Sequence, residues 1–124
     1  MTIRLKPVSV KARNGFRTRA VPYGPNTRMH WGLRARWNKA WQEEVGWALK
    51  LAGVKKPEYT RVAFRLYTTR PQDFDNSVAS VKALLDGLKG IAIEDDAQKY
   101  IGQVPVDTIK VATLLEEHVE IDLS

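Results

Sequence analysis

The chain has 124 residues, 44% of them hydrophobic and 27% charged, with a net charge of +6. That is one domain's length with an ordinary soluble composition, and the absence of cysteine excludes disulfides and thiolate chemistry. Two histidines make a zinc centre a poor expectation, and no apolar run has the length of a membrane span.

The charge is unevenly dealt. Residues 1–70 carry 16 Lys/Arg against 3 Asp/Glu, and residues 71–124 carry 4 against 11, so +13 sits in the first part and −7 in the second. A basic part suits a polyanion such as DNA or RNA, because each phosphate contact releases counterions. Clustered aspartates suit a hard cation. The start, Met1 to Pro7, lacks the apolar core of a signal peptide, so a cytoplasmic location is the expectation.

In chain order, residues 2–12 alternate in part through Ile3, Leu5, Val8 and Val10, which predicts a strand broken or put at an edge by Pro7. Residues 13–32 read as a long loop, with Asn14-Gly15, Pro22 and Gly24-Pro25-Asn26. It interleaves Arg13, Arg17, Arg19 and Arg28 with Phe16, Tyr23, His30 and Trp31. Arginines contact phosphates and aromatics stack on bases, so these arginines are candidate DNA contacts; a solvated loop is the plain alternative.

Residues 33–52 predict a helix with Leu33, Trp37, Trp41, Val45, Ala48 and Ala52 on one face, stopped by Gly53. The tryptophans are expected in the core. Residues 58–69 form the clearest strand, alternating through Val62, Phe64 and Leu66. A second helix is expected over 76–89, capped by Asp75 or Asn76 and ended by Gly90. Its buried stripe is Val78, Val81, Leu85 and Leu88, and its polar face carries Ala79, Lys82, Asp86 and Lys89. Lys82 then projects from the side of the helix entrance that carries Asp75. Residues 91–124 read as β-structure, in runs at Ile91–Ile93, Tyr100–Ala112 and Leu114–Leu123.

The chemistry concentrates at Asp73-Phe74-Asp75-Asn76, between the strand and the second helix, and at Glu94-Asp95-Asp96-Ala97-Gln98 after that helix. In an extended segment Asp73 and Asp75 point to one side and can share an ion. Oxygen-only ligation suits magnesium or manganese, and Asp95 or Asp96 is the candidate third carboxylate. Such a metal serves phosphodiester hydrolysis, with a nearby lysine to stabilise developing charge. The plain alternative is a helix cap and a turn. No nucleophile elbow and no phosphate-cradling glycine loop competes.

Asp73-Phe74-Asp75-Asn76, Lys82-Ala83-Leu84-Leu85-Asp86-Gly87-Leu88 and Asp95-Asp96-Ala97-Gln98 resemble the motifs of RusA-type Holliday-junction resolvases. The resemblance is specific over residues 71–98 and loose elsewhere. It implies a small α+β domain spanning residues 1–124, a mixed β-sheet with two main helices packed on it. It further implies a Mg²⁺-dependent endodeoxyribonuclease, with Mn²⁺ as the other candidate ion. The family acts as a homodimer on four-way DNA junctions in recombination and repair. Carried over by position, Asp73, Asp75 and Asp96 are the metal ligands, and Asn76 belongs to the DNA-facing motif. The family's lysine position falls on Ala79; Lys82, three residues on, is the candidate replacement on roughly the same helix face. That departure keeps open a non-cleaving protein of the same fold that binds branched or single-stranded nucleic acid. A scaffold with aspartates as caps and turns is the third reading.

Overall fold

The computed structural model describes residues 1–95 and 102–124. Its architecture is α+β. Strands β1 (Thr2–Arg4), β2 (Val8–Ala12) and β3 (Gly15–Arg19) precede helix α1 (Trp31–Leu51). Strand β4 (Val62–Thr68), helices α2 (Phe74–Ser80) and α3 (Lys82–Leu88), and strand β5 (Val106–Lys110) follow, and β6 (His118–Leu123) closes the chain. The main sheet has the order β1-β6-β4-β5. β6 runs antiparallel to β1 and β4, and β5 runs parallel to β4. The sheet is mixed because a crossover through α2 and α3 separates β4 from β5.

Alternation along β4 and β6 decides which face is covered. Val62, Phe64, Leu66, Val119, Ile121 and Leu123 are buried against the helices. The opposite face carries Arg65, Glu120 and Asp122, joined as ion pairs, with Thr2 donating to Asp122 over 2.6 Å. His118 stacks on Tyr67 there, ring centres 4.2 Å apart, and bonds Glu120.

Pro7 separates β1 from β2, as its missing N–H demands. Residues 13–32 hold more structure than a loop. Gly15 takes φ 113° and opens β3, which returns along β2 from Ala12↔Gly15 to Val8↔Arg19. β2 buries Val8 and Val10, whereas β3 is exposed from Gly15 to Thr18. A strand with no buried side leaves no apolar alternation to read.

Helix α1 buries Trp37, Trp41 and Val45 as expected, and Leu49 where the expected stripe continued to Ala48 and Ala52. The second helix differs more. It breaks at Val81, whose φ −89° and ψ 1° end α2 and restart α3. The buried residues are Ser77, Ser80, Val81, Ala83, Leu84, Gly87 and Leu88, a face that continues through the break and is turned away from the expected stripe. Val78, expected inside, is exposed. Gly87 is where α1 crosses closely: a Cβ there would lie 2.9 Å from Val45 Cβ and 3.1 Å from the Gln42 carbonyl oxygen. Ile91–Ile93 is a turn with a single bridge between Lys89 and Ile93, burying Ala92 and Ile93 beneath Leu88. No helix among the described residues is long and apolar enough to cross a membrane.

Candidate functional site

The acidic turn follows the carboxyl end of β4. Glu117, just before β6, pins that end. Its Oε2 accepts from the Thr69 amide at 2.8 Å and from the Thr68 and Thr69 hydroxyls at 3.0 Å each. Burial works to raise the Glu117 pKa, but these bonds and the nearby Arg19 charge outweigh it and hold the carboxyl below its ordinary value. Pro71 then prevents the strand from running on into helix, because the residue before proline disfavours the helical region.

Asp73 is the cap of α2, a role expected of Asp75 or Asn76. Its backbone is extended, at φ −66° and ψ 168°, and its side chain accepts from the Asn76 amide at 2.9 Å. The Asn76 side chain adds a bond to the other Asp73 oxygen at 3.3 Å. Asp75 already lies in the first helical turn. The two-residue alternation of an extended segment therefore does not relate the two carboxylates; one comes from the cap and the other from the helix. Both aspartates are exposed, and negative charge is favoured at this end of a helix.

Carboxylate oxygens of this kind fit a hard divalent cation in donor chemistry. Among the described residues no group of three or more His, Cys, Asp or Glu comes together to hold one. Asp95 is half-buried beyond the turn that follows α3, and Asp96 lies outside the described residues.

Lys82 opens α3, beyond the break at Val81. The single helix expected over 76–89 is thus interrupted between Ala79 and Lys82. Lys82 pairs with Asp86 over 3.1 Å, and Lys89 reaches the same carboxylate at 3.2 Å.

The basic residues fall into two groups. Arg13 and Arg17 lie exposed on the β2–β3 hairpin, whose Phe16 is 75% exposed. Arg28 is exposed in the loop before α1, and Trp31, the first residue of that helix, is also exposed. Arg19 is half-buried: Nε donates to the Val21 carbonyl at 3.1 Å and the guanidinium lies 3.9 Å from the Tyr23 ring centre. Tyr23 meets Trp37 edge to face and belongs to the core edge, whereas Phe16 and Trp31 are exposed, Trp31 with its ring centre 5.3 Å from that of His30.

The loop is tied to the acidic turn at two points. Asn26 Nδ2 donates to Asn76 Oδ1 over 3.0 Å, and Gly24 packs against the Gln72 amide group. Arg34 of α1 donates to the Gly24 and Thr27 carbonyls and holds the loop in place.

Between hairpin, loop and turn lies a polar cleft of about 570 Å³, with Arg19, Thr69, Gln72, Ser77, Thr108 and Glu117 in its walls. It opens past the carboxyl ends of the parallel strands β4 and β5, the usual position for a ligand in sheets with such crossovers. Glu117 carried no sequence signal, since its partners lie 48 and 49 residues away. No protein-family model matches the chain, and no curated protein matches it.

Proposed function

We propose that the chain is a metal-dependent endodeoxyribonuclease that acts on four-way DNA junctions as a homodimer. The observation that carries the reading is the acidic turn itself. Asp73 and Asp75 are exposed at the start of α2, and the Asn26–Asn76 bond fastens the arginine-bearing loop to them. The motifs shared with RusA-type resolvases supply the rest.

Asp73 and Asp75 would hold a magnesium or manganese ion, with Asp96 as the proposed third ligand. Such an ion, when bound, supplies water activation and neutralises charge on the phosphate. Arg13, Arg17 and Arg28 bind the phosphodiester backbone on the basic side. Asn76 braces Asp73 through two bonds and so orients the carboxylate. A two-fold dimer matches a substrate with two equivalent strands to cut.

A second reading is favoured by the residues at positions 79 and 82. With Ala79 in the family's lysine position and Lys82 engaged with Asp86, a protein of this fold would bind branched DNA without cutting it. One experiment separates the two. Purified protein is given labelled junction, fork and duplex DNA, with Mg²⁺, with Mn²⁺ and with EDTA. Paired nicks in the junction only with metal are the expected result. Junction binding in EDTA with no cleavage in either metal establishes the second reading. No salt-dependent affinity for DNA overturns both.

A further inference from the structure

We propose that the cleft between β3, the carboxyl end of β4 and the segment before β6 holds an unpaired nucleobase of the bound strand, with Glu117 accepting from its exocyclic amino group. This rests on the reading of the chain as a DNA-acting protein. It adds a base-recognising site to a surface otherwise suited to phosphates.

The cleft is lined by both apolar and polar groups. Val21, Pro22, Leu66 and Leu114 line it with apolar surface, and Leu114 is 73% exposed. That is surface for the flat face of a base, and about 570 Å³ accommodates one. The polar lining selects what enters. All three bonds to Glu117 fall on Oε2, so Oε1 keeps its accepting capacity among the described residues. The carboxylate stays ionised, because the threonine bonds outweigh its burial. An ionised carboxylate in the wall repels a phosphate and calls for a hydrogen-bond donor. Arg19 lines the same cleft, its Nε committed to Val21 and its two terminal nitrogens making no hydrogen bond among the described residues.

An acceptor beside a cationic donor matches bases that place an amino group next to a ring nitrogen or carbonyl acceptor. Cytosine, adenine and guanine do so. Thymine offers its N3–H only between two carbonyl oxygens, which would face the carboxylate. The strand reaches this cleft directly from the acidic turn, since Gln72 and Ser77 in its walls flank Asp73–Asn76.

The test uses the full chain in EDTA, at one salt concentration, with short fluorescent oligodeoxycytidine and oligothymidine read by anisotropy. Oligodeoxycytidine is expected to bind about ten-fold more tightly, the worth of one hydrogen bond to a charged group. Glu117→Gln, whose amide both donates and accepts, is expected to bring the two affinities together. An oligonucleotide of N4,N4-dimethylcytosine tests the same contact on the unaltered protein and is expected to lose the advantage, which keeps the inference open to refutation should Glu117→Gln fail to fold. Equal affinity of the unaltered protein for cytidine and thymidine strands, with a junction still bound, overturns the base site alone. Absence of binding to any DNA overturns the proposed function, and the base site with it.

Discussion

Asn26 and Asn76 are 50 residues apart in sequence and joined by one side-chain hydrogen bond of 3.0 Å. The bond couples the arginine-bearing loop to the residue that braces Asp73. It is exposed, so its contribution to stability is small, about 1 kcal/mol or less. Asn26→Ala should therefore leave thermal unfolding almost unchanged while weakening junction binding and metal-dependent nicking. Equal losses in both would show the loop to be merely part of the scaffold.

Asp73 has two separable jobs. As a cap, asparagine replaces aspartate well and alanine does not. As a metal ligand, the charge matters. Asp73→Asn is expected to keep the stability of the native protein and lose cleavage. Asp73→Ala should lose cleavage and also about 1 kcal/mol of stability, read from urea unfolding. Cleavage retained in Asp73→Asn would confine this residue to capping.

Gly87 is required by the crossing of α1 and α3. Gly87→Ala places a methyl against Val45 and the Gln42 carbonyl and should cost about 1–3 kcal/mol, as overpacking does. The helix gains intrinsic propensity from the alanine, so a stabilised variant would mean the two helices separate at little cost.

Acid sensitivity should follow the open sheet face. Glu120 is held below its ordinary pKa by the Arg65 hydrogen bond and then by His118. Asp122 is lowered by the Thr2 hydroxyl, against burial, and by Arg65. A carboxyl whose pKa is lower in the folded state adds stability above its unfolded pKa and loses it as pH falls through the folded value. Unfolding free energy should thus fall between about pH 6 and about pH 3, and fall less in Arg65→Met. An identical decline in that variant would show the ion pairs to be uncoupled from folding.

The residues show why some features were legible and others not. Trp37, Trp41, Val62, Phe64 and Leu66 announce themselves by period, and the structure buries all five. β3 was hidden because its residues are exposed from Gly15 to Thr18, although Asn14-Gly15 is a hairpin signal. The buried face of α2 and α3 was hidden because Val78, Val81, Leu85 and Leu88 make the more apolar stripe at helical spacing, whereas the face that is buried includes Ser77, Ser80 and Gly87. Seating Gly87 against α1 and Ser77 against Thr108, its hydroxyl 2.8 Å away, selects that face. The acidic turn was legible as composition. Its division into a capping aspartate and a helical one was not, since both positions accept either role.

The most direct test is the Asp75→Asn variant on a labelled four-way junction, with nicking measured in Mg²⁺ and binding measured in EDTA. Asp75 does not cap α2, so its loss should leave the fold intact. The expected result is abolished nicking with junction binding unchanged or tighter. Full Mg²⁺-dependent nicking by this variant would contradict the assignment of the acidic turn as a metal site.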